Sequence, residues 1–194
     1  MNKHLYIILI ALVGFAVFTS SCSEEEEPNL IPDNYYGEVT ALKNGVEWHA
    51  NPYGVAYRED SLFSLLFDQL TLEAFVRERL SFVLVKENSS QQKLAPSSNF
   101  YGEGHRPIDS MVRSDSAGIS FMTIVGGDAI GDIYDIIPEP SNYITITSYD
   151  EETNEIEGEF EATLIMTKGS EFTIGSPDTI RFTQGVFRTK VRDE

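Results

Sequence analysis

Short apolar segments, each followed by residues that favour turns, make up most of the chain from residue 35 onward. The clearest segment spans residues 155–166, where every second position is small or apolar. Those positions are Ile156, Gly158, Phe160, Ala162 and Leu164. The positions between them include the glutamates at 155, 157, 159 and 161. A period of two predicts a β-strand with one face in the core and the other in water.

Other apolar segments, some alternating and some continuous, predict further strands. They lie at residues 37–42, 46–50, 61–67, 80–85, 119–125, 143–147 and 179–191. The pair Asn44-Gly45 favours a tight hairpin turn between the first two, because both residues accept positive φ at little cost. Short strands at this spacing predict one all-β domain, either an antiparallel β-sandwich or a partly open barrel.

Three segments do not fit this pattern clearly. Residues 68–79 fit either a strand or a short helix, because apolar residues recur there at both spacings. Residues 89–107 are polar and rich in Ser, Gln, Gly and Pro, so we expect a loop. Residues 126–132 follow a predicted strand and combine glycine with aspartate, which also favours a loop.

The first residues of the chain resemble a bacterial lipoprotein signal. A basic start precedes an apolar run at residues 5–18; as a helix it would span roughly 21 Å, short of the ~30 Å membrane core. A signal-peptide core fits this length. Small residues, Ser20 and Ser21, then precede Cys22, the single cysteine. The resemblance implies cleavage before Cys22 and a diacylglyceryl group on its sulfur; the alternative is an ordinary signal peptide followed by a free cysteine.

The residues after Cys22 are polar and acidic. Ser23 is followed by a run of like charges that stays solvated, consisting of Glu24, Glu25, Glu26 and Glu27. This sequence resembles the signal that directs lipoproteins of Bacteroidota to the cell surface; a plain tether on the periplasmic side is the alternative. The chain then divides into a signal peptide at 1–21, an acidic tether at 22–34 and the β-domain at 35–194.

The charge of the chain limits its partners. It carries 31 acidic and 14 basic residues, for a formal net charge of −17. This excess opposes binding to nucleic-acid phosphates, so we expect no nucleic-acid partner. An apolar content of 41% is too high for a disordered chain. The single cysteine excludes an intramolecular disulfide.

Four short motifs in the β-domain resemble a known group of proteins. They are Asn44-Gly45-Val46-Glu47-Trp48, Ile144-Thr145-Ile146-Thr147, Ile156-x-Gly158-x-Phe160-x-Ala162 and Thr183-x-Gly185-x-Phe187. In this order they resemble the small uncharacterised β-sandwich lipoproteins of Bacteroidota. The resemblance covers residues 35–191 and implies a lipid-anchored protein in the outer membrane that faces the cell exterior. It implies no activity; Trp48 and Phe160 fit core positions, and Gly185 fits a bulge or a close backbone approach.

Histidine and nucleophile motifs give little support for catalysis, and we assign no catalytic residue. His49 and His105 are the histidines that remain after signal cleavage, so a three-histidine zinc site is excluded, whereas a site of two histidines and a carboxylate is not. His49 lies in a predicted strand, where a structural or surface role is expected, and His105 lies in a loop that could line a site. The chain has no Gly-x-Ser-x-Gly motif, which excludes the usual α/β-hydrolase nucleophile.

Acidic residues after the strand at 119–125 make calcium the cofactor to consider. Asp128, Asp132 and Asp135 carry the carboxylate oxygens that calcium prefers. Their spacing differs from that of an EF-hand, and a solvated loop without metal is the alternative. We predict no other cofactor.

Four Asp-Ser or Asp-Thr pairs, each followed by an apolar residue, resemble the O-glycosylation acceptor motif of Bacteroidota. The acceptor hydroxyls would be those of Ser61, Ser110, Ser116 and Thr179. Because a glycan is bulky and hydrated, each modified hydroxyl must lie at the surface. Asp-Ser pairs are also common in turns, which is the alternative interpretation.

These observations favour a lipid-anchored surface protein whose β-domain is a binding or structural module for a glycan or a protein partner. The alternative is a calcium-assisted or other hydrolase that acts on an extracellular polymer. The absence of a nucleophile motif favours the binding module. The membrane is a partner through the lipid anchor.

Overall fold

The computed structural model describes residues 31–53, 62–87, 90–97, 115–137, 139 and 141–191. These residues contain ten strands and no α-helix, and therefore no helix that is long and apolar enough to cross a membrane. The strands are β1 (Glu38–Lys43), β2 (Val46–Tyr53), β3 (Leu62–Leu70), β4 (Val76–Lys86), β5 (Gln92–Pro96), β6 (Ser116–Val125), β7 (Ala129–Ile136), β8 (Tyr143–Asp150), β9 (Glu155–Lys168) and β10 (Thr179–Lys190). The predicted all-β class is confirmed.

The strands form one sheet whose hydrogen-bonded pairs follow a closed ring. β1 pairs with β2, β2 with β3, β3 with β4, and β4 with β6. β6 then pairs with β7, β7 with β9, β9 with β10, and β10 with β1. All of these pairs are antiparallel. β5 and β8 provide a second connection between β6 and β9, in which β5 lies parallel to β6.

The long strand β9 pairs with β8 and β7 in succession. Residues 155–161 of β9 pair with β8, and residues 164–168 pair with β7. Asn142 fills the gap between these two partners, because its Oδ1 accepts a hydrogen bond from the Thr163 N–H at 2.9 Å. The Ile137 N–H donates to the Thr163 carbonyl, also at 2.9 Å. β7 and β8 therefore act as one interrupted partner strand.

The core lies inside the sheet and is rich in aromatic side chains. Phe160 packs against Phe82 with ring centroids 5.3 Å apart, and Trp48 packs edge-on against Phe182 at 5.0 Å. Such edge-on pairs add stability beyond the area they bury. The largest fully buried side chains are Trp48, Tyr134, Phe63, Phe67, Phe82, Phe121, Phe160, Phe182, Leu65, Leu80 and Ile119. The core positions predicted for Trp48 and Phe160 are confirmed.

Two glycines make room for aromatic rings between β9 and β10. Gly185 faces Phe160, and a Cβ added at Gly185 would lie 2.6 Å from the Cζ of that ring. Gly158 faces Phe187 in the same strand pair, and a Cβ there would lie 2.4 Å from Phe187 Cζ. The register also shifts between Phe182 and Gly185. The bulge predicted at Gly185 is confirmed, and the group that approaches this glycine closely is an aromatic ring instead of backbone.

The first hairpin and the alternation of β9 agree with the sequence pattern. Asn44 and Gly45 have φ values of 51° and 80°, as a two-residue hairpin turn of this kind requires. On β9 the alternate apolar positions are buried, and the glutamates between them are exposed or half-buried. Each prediction rested on a local signal, and each is confirmed.

The segment at 68–79 is a hairpin, so the short helix that we considered there is not formed. It contains the end of β3, a turn at 71–75 and the start of β4. β4 pairs with β3 on one side and with β6 on the other, so β4 is an interior strand of the sheet. The local sequence of this segment is compatible with a strand and with a short helix, and pairing with distant strands selects the strand.

Two strands lie where we expected loops. β5 falls within the polar segment 89–107, and β7 begins inside the expected loop at 126–132 and continues to Ile136. Both are held by backbone hydrogen bonds to neighbouring strands. Because those bonds are independent of side-chain type, a polar sequence can form a strand when its neighbours are in place.

Four of the hairpin turns lie together at one end of the ring because neighbouring strands are antiparallel. This distal end consists of the turns at 44–45, 71–75, 126–128 and 169–178. The chain enters from the opposite direction, since Tyr35 bridges to Tyr53 at the end of β2 and β1 then runs toward the distal end. β10 has 12 residues and spans roughly 40 Å between the two ends.

Candidate binding surface at the distal end

Large apolar side chains are exposed at the distal end. Ile174 is 98% exposed and Leu72 is 92% exposed, so both lie almost entirely in water. The distal apolar surface is defined by such residues on the turns or directly beside them: Val46, Leu72, Phe75, Ile130, Phe172 and Ile174. Clusters of this kind on a folded domain mark interaction sites.

Two of the turns that carry this surface contact each other, and a third lies against strand β7. Phe75 lies against the β6–β7 turn, since a Cβ added at Gly127 would be 2.8 Å from its ring. Thr173 lies against β7, since a Cβ at Gly131 would be 3.2 Å from its methyl group. A groove of about 410 Å³ opens between the β3–β4 and β6–β7 turns, lined by Thr71, Glu73, Phe75, Val76, Arg77, Ile124, Gly126 and Gly127. The β3–β4 and β6–β7 turns therefore form one continuous surface, and the β9–β10 loop lies against β7.

Thr71 fixes the turn that carries Leu72 and Phe75. Its Oγ1 accepts hydrogen bonds from the Glu73 N–H at 3.3 Å and the Phe75 N–H at 3.2 Å. Its own N–H donates to the Phe75 carbonyl at 2.8 Å, and the Ala74 N–H donates to the Thr71 carbonyl at 2.9 Å. The exposed apolar groups of this turn are thus held on an ordered backbone, which lowers the entropy lost on binding.

Asp132 holds the β9–β10 loop from the inner side. Its side chain is buried, and its Oδ1 accepts hydrogen bonds from the Ser170 N–H at 2.7 Å and the Thr173 hydroxyl at 2.6 Å. Tyr134, two residues along β7, donates its hydroxyl to the Pro177 carbonyl at 3.0 Å. These contacts tie both halves of the loop to β7. The loop is therefore ordered although it presents two members of the distal apolar surface to water.

The charge on Asp132 strengthens these contacts. Burial raises the pKa of Asp132, but the neighbouring Ser176 hydroxyl and the hydrogen bonds from Thr173 and the Ser170 N–H together lower it by more, so the net direction is down. A lowered pKa means that these contacts stabilise the fold above the unfolded-state pKa and are lost as the pH falls through the folded-state value. The Ser176 hydroxyl lies near enough to stabilise the negative charge of Asp132. The Asp132 Oδ2 atom itself accepts no well-formed hydrogen bond from the described residues.

The turns of the distal end carry only negative formal charge. Their acidic residues are exposed, and none of the four turns contains Lys, Arg or His. The acidic residues are Glu73, Asp128, Glu171 and Asp178. Two of them adjoin exposed apolar residues directly, as Leu72-Glu73 and Glu171-Phe172. Exposed cations lie directly beside the turns: Arg77 lines the groove, Lys168 precedes the β9–β10 loop, and the Arg181 backbone hydrogen-bonds to Asn44. The distal end thus presents apolar groups among charges of both signs.

A satisfied ionic cluster lies just below the turns. Glu78 accepts hydrogen bonds from Lys43 Nζ at 2.6 Å and from Trp48 Nε1 at 2.9 Å. Lys43 Nζ also lies 5.6 Å from the centre of the Phe121 ring, within the range of a cation–π contact. Because each polar group has a partner within the fold, this cluster has a structural role.

The structure does not bring the three calcium candidates together. Asp132 points into the buried face of β7, whereas Asp135, an odd number of residues away, points to the other face. Asp128 lies exposed in the β6–β7 turn, and Asp135 Oδ1 accepts the Ile136 N–H at 2.9 Å. Across the described ranges, no group of three or more His, Cys, Asp or Glu side chains is placed to hold a metal ion.

The remaining candidates are spread over the domain. His49 is exposed on β2, Thr179 is exposed at the start of β10, and Ser116 is half-buried at the start of β6. Several predicted sites lie outside the described residues, namely Cys22, Ser23, Glu24, Glu25, Glu26, Glu27, Ser61, His105 and Ser110. The structure therefore groups none of the described candidates into one site.

An ionic cluster on the outer face of the sheet has no counterpart in the sequence analysis. Asp68 is fully buried and accepts two hydrogen bonds from Arg79, at 2.7 and 2.8 Å, and one from the Tyr35 hydroxyl at 2.8 Å. Tyr35 also packs edge-on against Tyr53 at 5.2 Å. Burial raises the pKa of the Tyr35 hydroxyl, and its bond to Asp68 raises it further. The cluster fastens the entering chain to the sheet.

Comparison with protein-family models, with curated proteins and with solved structures gives no match for this chain. The distal apolar surface is consequently interpreted from its own geometry. The resemblance to lipoproteins of Bacteroidota stays an expectation drawn from the sequence.

Proposed function

We propose that the protein is a lipid-anchored surface protein whose β-domain is a binding module for a glycan or a protein partner. One observation carries this proposal: the distal apolar surface lies at the end of the ring opposite the entry of the chain. A tether that precedes residue 35 therefore reaches the domain from the far side. The exposed apolar turns would then point away from the anchoring membrane, where a binding surface is accessible.

The sequence supports the anchor and its location. The apolar run at 5–18 followed by Cys22 resembles a lipoprotein signal, and Ser23 with the glutamates at 24–27 resembles a surface-export signal. The proposed location is the outer membrane, facing the cell exterior. Exposed Thr179 suits the proposed O-glycosylation better than half-buried Ser116 does, because an attached glycan needs space at the surface.

The composition of the distal end supports binding in preference to hydrolysis. Apolar side chains on ordered turns, bordered by charged groups, are the usual make-up of a recognition surface. The hydrogen bonds of the Thr71 and Asp132 side chains hold those turns in place. Such preorganisation lowers the conformational entropy lost on association.

The anchor predicts a large effect of one substitution. Cys22→Ala removes the sulfur that would carry the lipid, so incorporation of labelled fatty acid should be abolished and the protein should leave the membrane fraction. The control is Ser21→Ala, which keeps the thiol and a small residue before it, and should remain labelled and membrane-bound.

Membrane association of the Cys22→Ala variant at the wild-type level, with no lipid incorporated, would show that the protein is attached in another way. That result would refute the anchored part of the proposal. It would leave the binding properties of the distal end to be measured separately.

A further inference from the structure

We propose that a recess on the outer face of β9 binds a neutral glycan, through a guanidinium and a carboxylate that form no ion pair with other described residues. The recess has a volume of about 90 Å³. This β9 recess is defined by the residues that line it: Ser141, Asn142, Glu161, Ala162, Thr163, Arg181, Phe182 and Thr183. It is separate from the distal apolar surface, so the inference goes beyond the proposed function.

Irregular pairing on both sides of β9 creates the recess. On one side β9 changes its partner from β8 to β7, and Asn142 bonds to Thr163 in the gap between them. On the other side the register of β10 shifts between Phe182 and Gly185. Gln184, within this bulge, has a φ of 54°, in the left-handed region that few residues other than glycine adopt. Bulges re-aim side chains and are frequent next to active sites.

Two charged side chains on the outer face border the β9 recess. Glu161 and Thr163 alternate with the buried, inward-facing Ala162, so both point outward from β9. Arg181 pairs with Thr163 across the β9–β10 register, which places it diagonal to Glu161 at about 7–8 Å along the backbone. Arg181 is exposed and Glu161 is half-buried. In the part of the chain that the structure describes, neither forms an ion pair, so both charges are available to a ligand.

These groups match the hydroxyl groups of a sugar. A guanidinium only donates hydrogen bonds, and a carboxylate only accepts them. Because a hydroxyl does both, neighbouring hydroxyls of one sugar ring can bond to Arg181 and Glu161 together, and the hydroxyls of Ser141 and Thr183 can bond in either sense. The volume of the recess equals that of about three waters, at ~30 Å³ each. It would therefore receive the hydroxyl-bearing edge of one ring in place of water.

Tyr143 extends the site toward β8. It follows Asn142 in the chain and lies directly opposite Glu161 in the β8–β9 pair. Burial raises the pKa of Tyr143, and the negative charges of Glu161 and Glu159 raise it further, so its hydroxyl lies near both carboxylates. A half-buried aromatic side chain at this point can pack against the apolar face of a sugar whose hydroxyls enter the recess.

The two charges of the recess disfavour other ligands. A phosphate or sulfate ion would bind Arg181 but be repelled by Glu161 and by the net charge of −17. A metal cation would meet the guanidinium beside the carboxylate, and the described ranges hold no group of three or more ligating His, Cys, Asp or Glu side chains. An apolar ligand would take water from both charges without replacing its hydrogen bonds. A neutral polyhydroxylated ligand avoids each of these costs.

The test uses the chain from residue 22 to 194 with Cys22→Ser, which contains all ten strands. It is screened against an array of immobilised oligosaccharides. The neutral members of the array are built from hexoses and N-acetylhexosamines, and the acidic members carry sulfate or uronic acid. The affinity for the neutral oligosaccharide that gives the strongest signal is then measured by isothermal titration calorimetry.

The recess variants are Arg181→Ala and Glu161→Ala, and the matched controls are Lys190→Ala and Glu157→Ala. The controls remove an exposed cation and an exposed carboxylate from the outer faces of the same two strands, away from the recess. Each recess variant should bind the oligosaccharide at least about tenfold less tightly, the loss expected for a hydrogen bond to a charged group. The controls should bind as wild type does, and all four variants should unfold at similar urea concentrations.

Three results of these measurements would overturn the proposal. The first is that no neutral oligosaccharide on the array binds wild type. The second is that only the acidic members bind. The third is that wild type and both recess variants bind the neutral oligosaccharide with equal affinity.

Chemical-shift mapping separates this site from the distal end. Adding the neutral oligosaccharide to the isotope-labelled chain should move the backbone amide signals of residues 141–143, 161–163 and 181–184. Shifts confined to the turns at 71–75 and 169–178 would place the glycan on the distal apolar surface, which would support the proposed function and overturn this inference. Shifts at the recess with glycine, and with no neutral sugar, would assign it to a zwitterion and also overturn the inference. Because the tested chain carries no lipid, a failure of the anchor would not affect these results.

Discussion

Phe160→Ala is expected to remove about 3–5 kcal/mol from the free energy of unfolding. Phe160 is fully buried, and its ring packs against Phe82 at 5.3 Å and Phe67 at 6.1 Å. The ring also covers Gly185, which has no side chain to fill the space left behind. A truncation there leaves a cavity at the centre of the aromatic core. Because domains are stable by only about 5–15 kcal/mol, the loss would be large.

Chemical denaturation with urea measures this effect, and Phe172→Ala is the matched control. Phe172 is 70% exposed at the distal end, so the same truncation there should change stability by about 0.5 kcal/mol or less. Similar losses for the two variants would mean that Phe160 does not occupy the core in solution.

Asp68→Ala is expected to destabilise the domain by about 3 kcal/mol. The buried carboxylate accepts hydrogen bonds from Arg79 and Tyr35, and its removal leaves a guanidinium and a phenol without their partner. Arg79 is 31% exposed, so water relieves part of the cost and the estimate lies at the low end for buried ion pairs. The entering chain should also loosen, since Tyr35 would lose its hydrogen bond to the sheet.

Asp115→Ala is the control for this second change. Asp115 is fully exposed and pairs with Lys86 at 3.0 Å, and surface ion pairs contribute about 0–1 kcal/mol. Urea denaturation compares the two variants, and hydrogen exchange at residues 35–37 follows the entering chain. An Asp68→Ala variant as stable as Asp115→Ala would contradict the buried cluster.

Local sequence signals account for the elements that were predicted correctly. The β1–β2 hairpin follows from Asn44-Gly45, whose positive φ values are a property of those two residues. β9 follows from the strict alternation of apolar and polar positions over a long segment. The bulge at Gly185 follows from the position of this glycine two residues before Phe187 in an apolar strand. These features depend on residues close in the chain, so a single sequence is sufficient to infer them.

The features that were missed depend on pairs of distant segments. β5 is a strand because it lies parallel to β6, across the intervening chain. Asp68 is buried on the outer face of β3, where Tyr35, 33 residues earlier, and Arg79 donate hydrogen bonds to it. The distal apolar surface joins turns that are far apart in sequence, although Leu72 and Ile174, apolar residues within turn sequences, were a signal that could have identified it.

The most direct test of the account is photo-crosslinking on intact cells of the native host. A photoreactive amino acid is placed at Ile174, on the distal end, or at Val186, on the side of the sheet; both positions are exposed. The account predicts a covalent adduct with an extracellular or cell-surface partner from position 174, and little or none from position 186. No adduct from position 174, or adducts of equal yield from both positions, would contradict a surface-displayed domain that binds through its distal end.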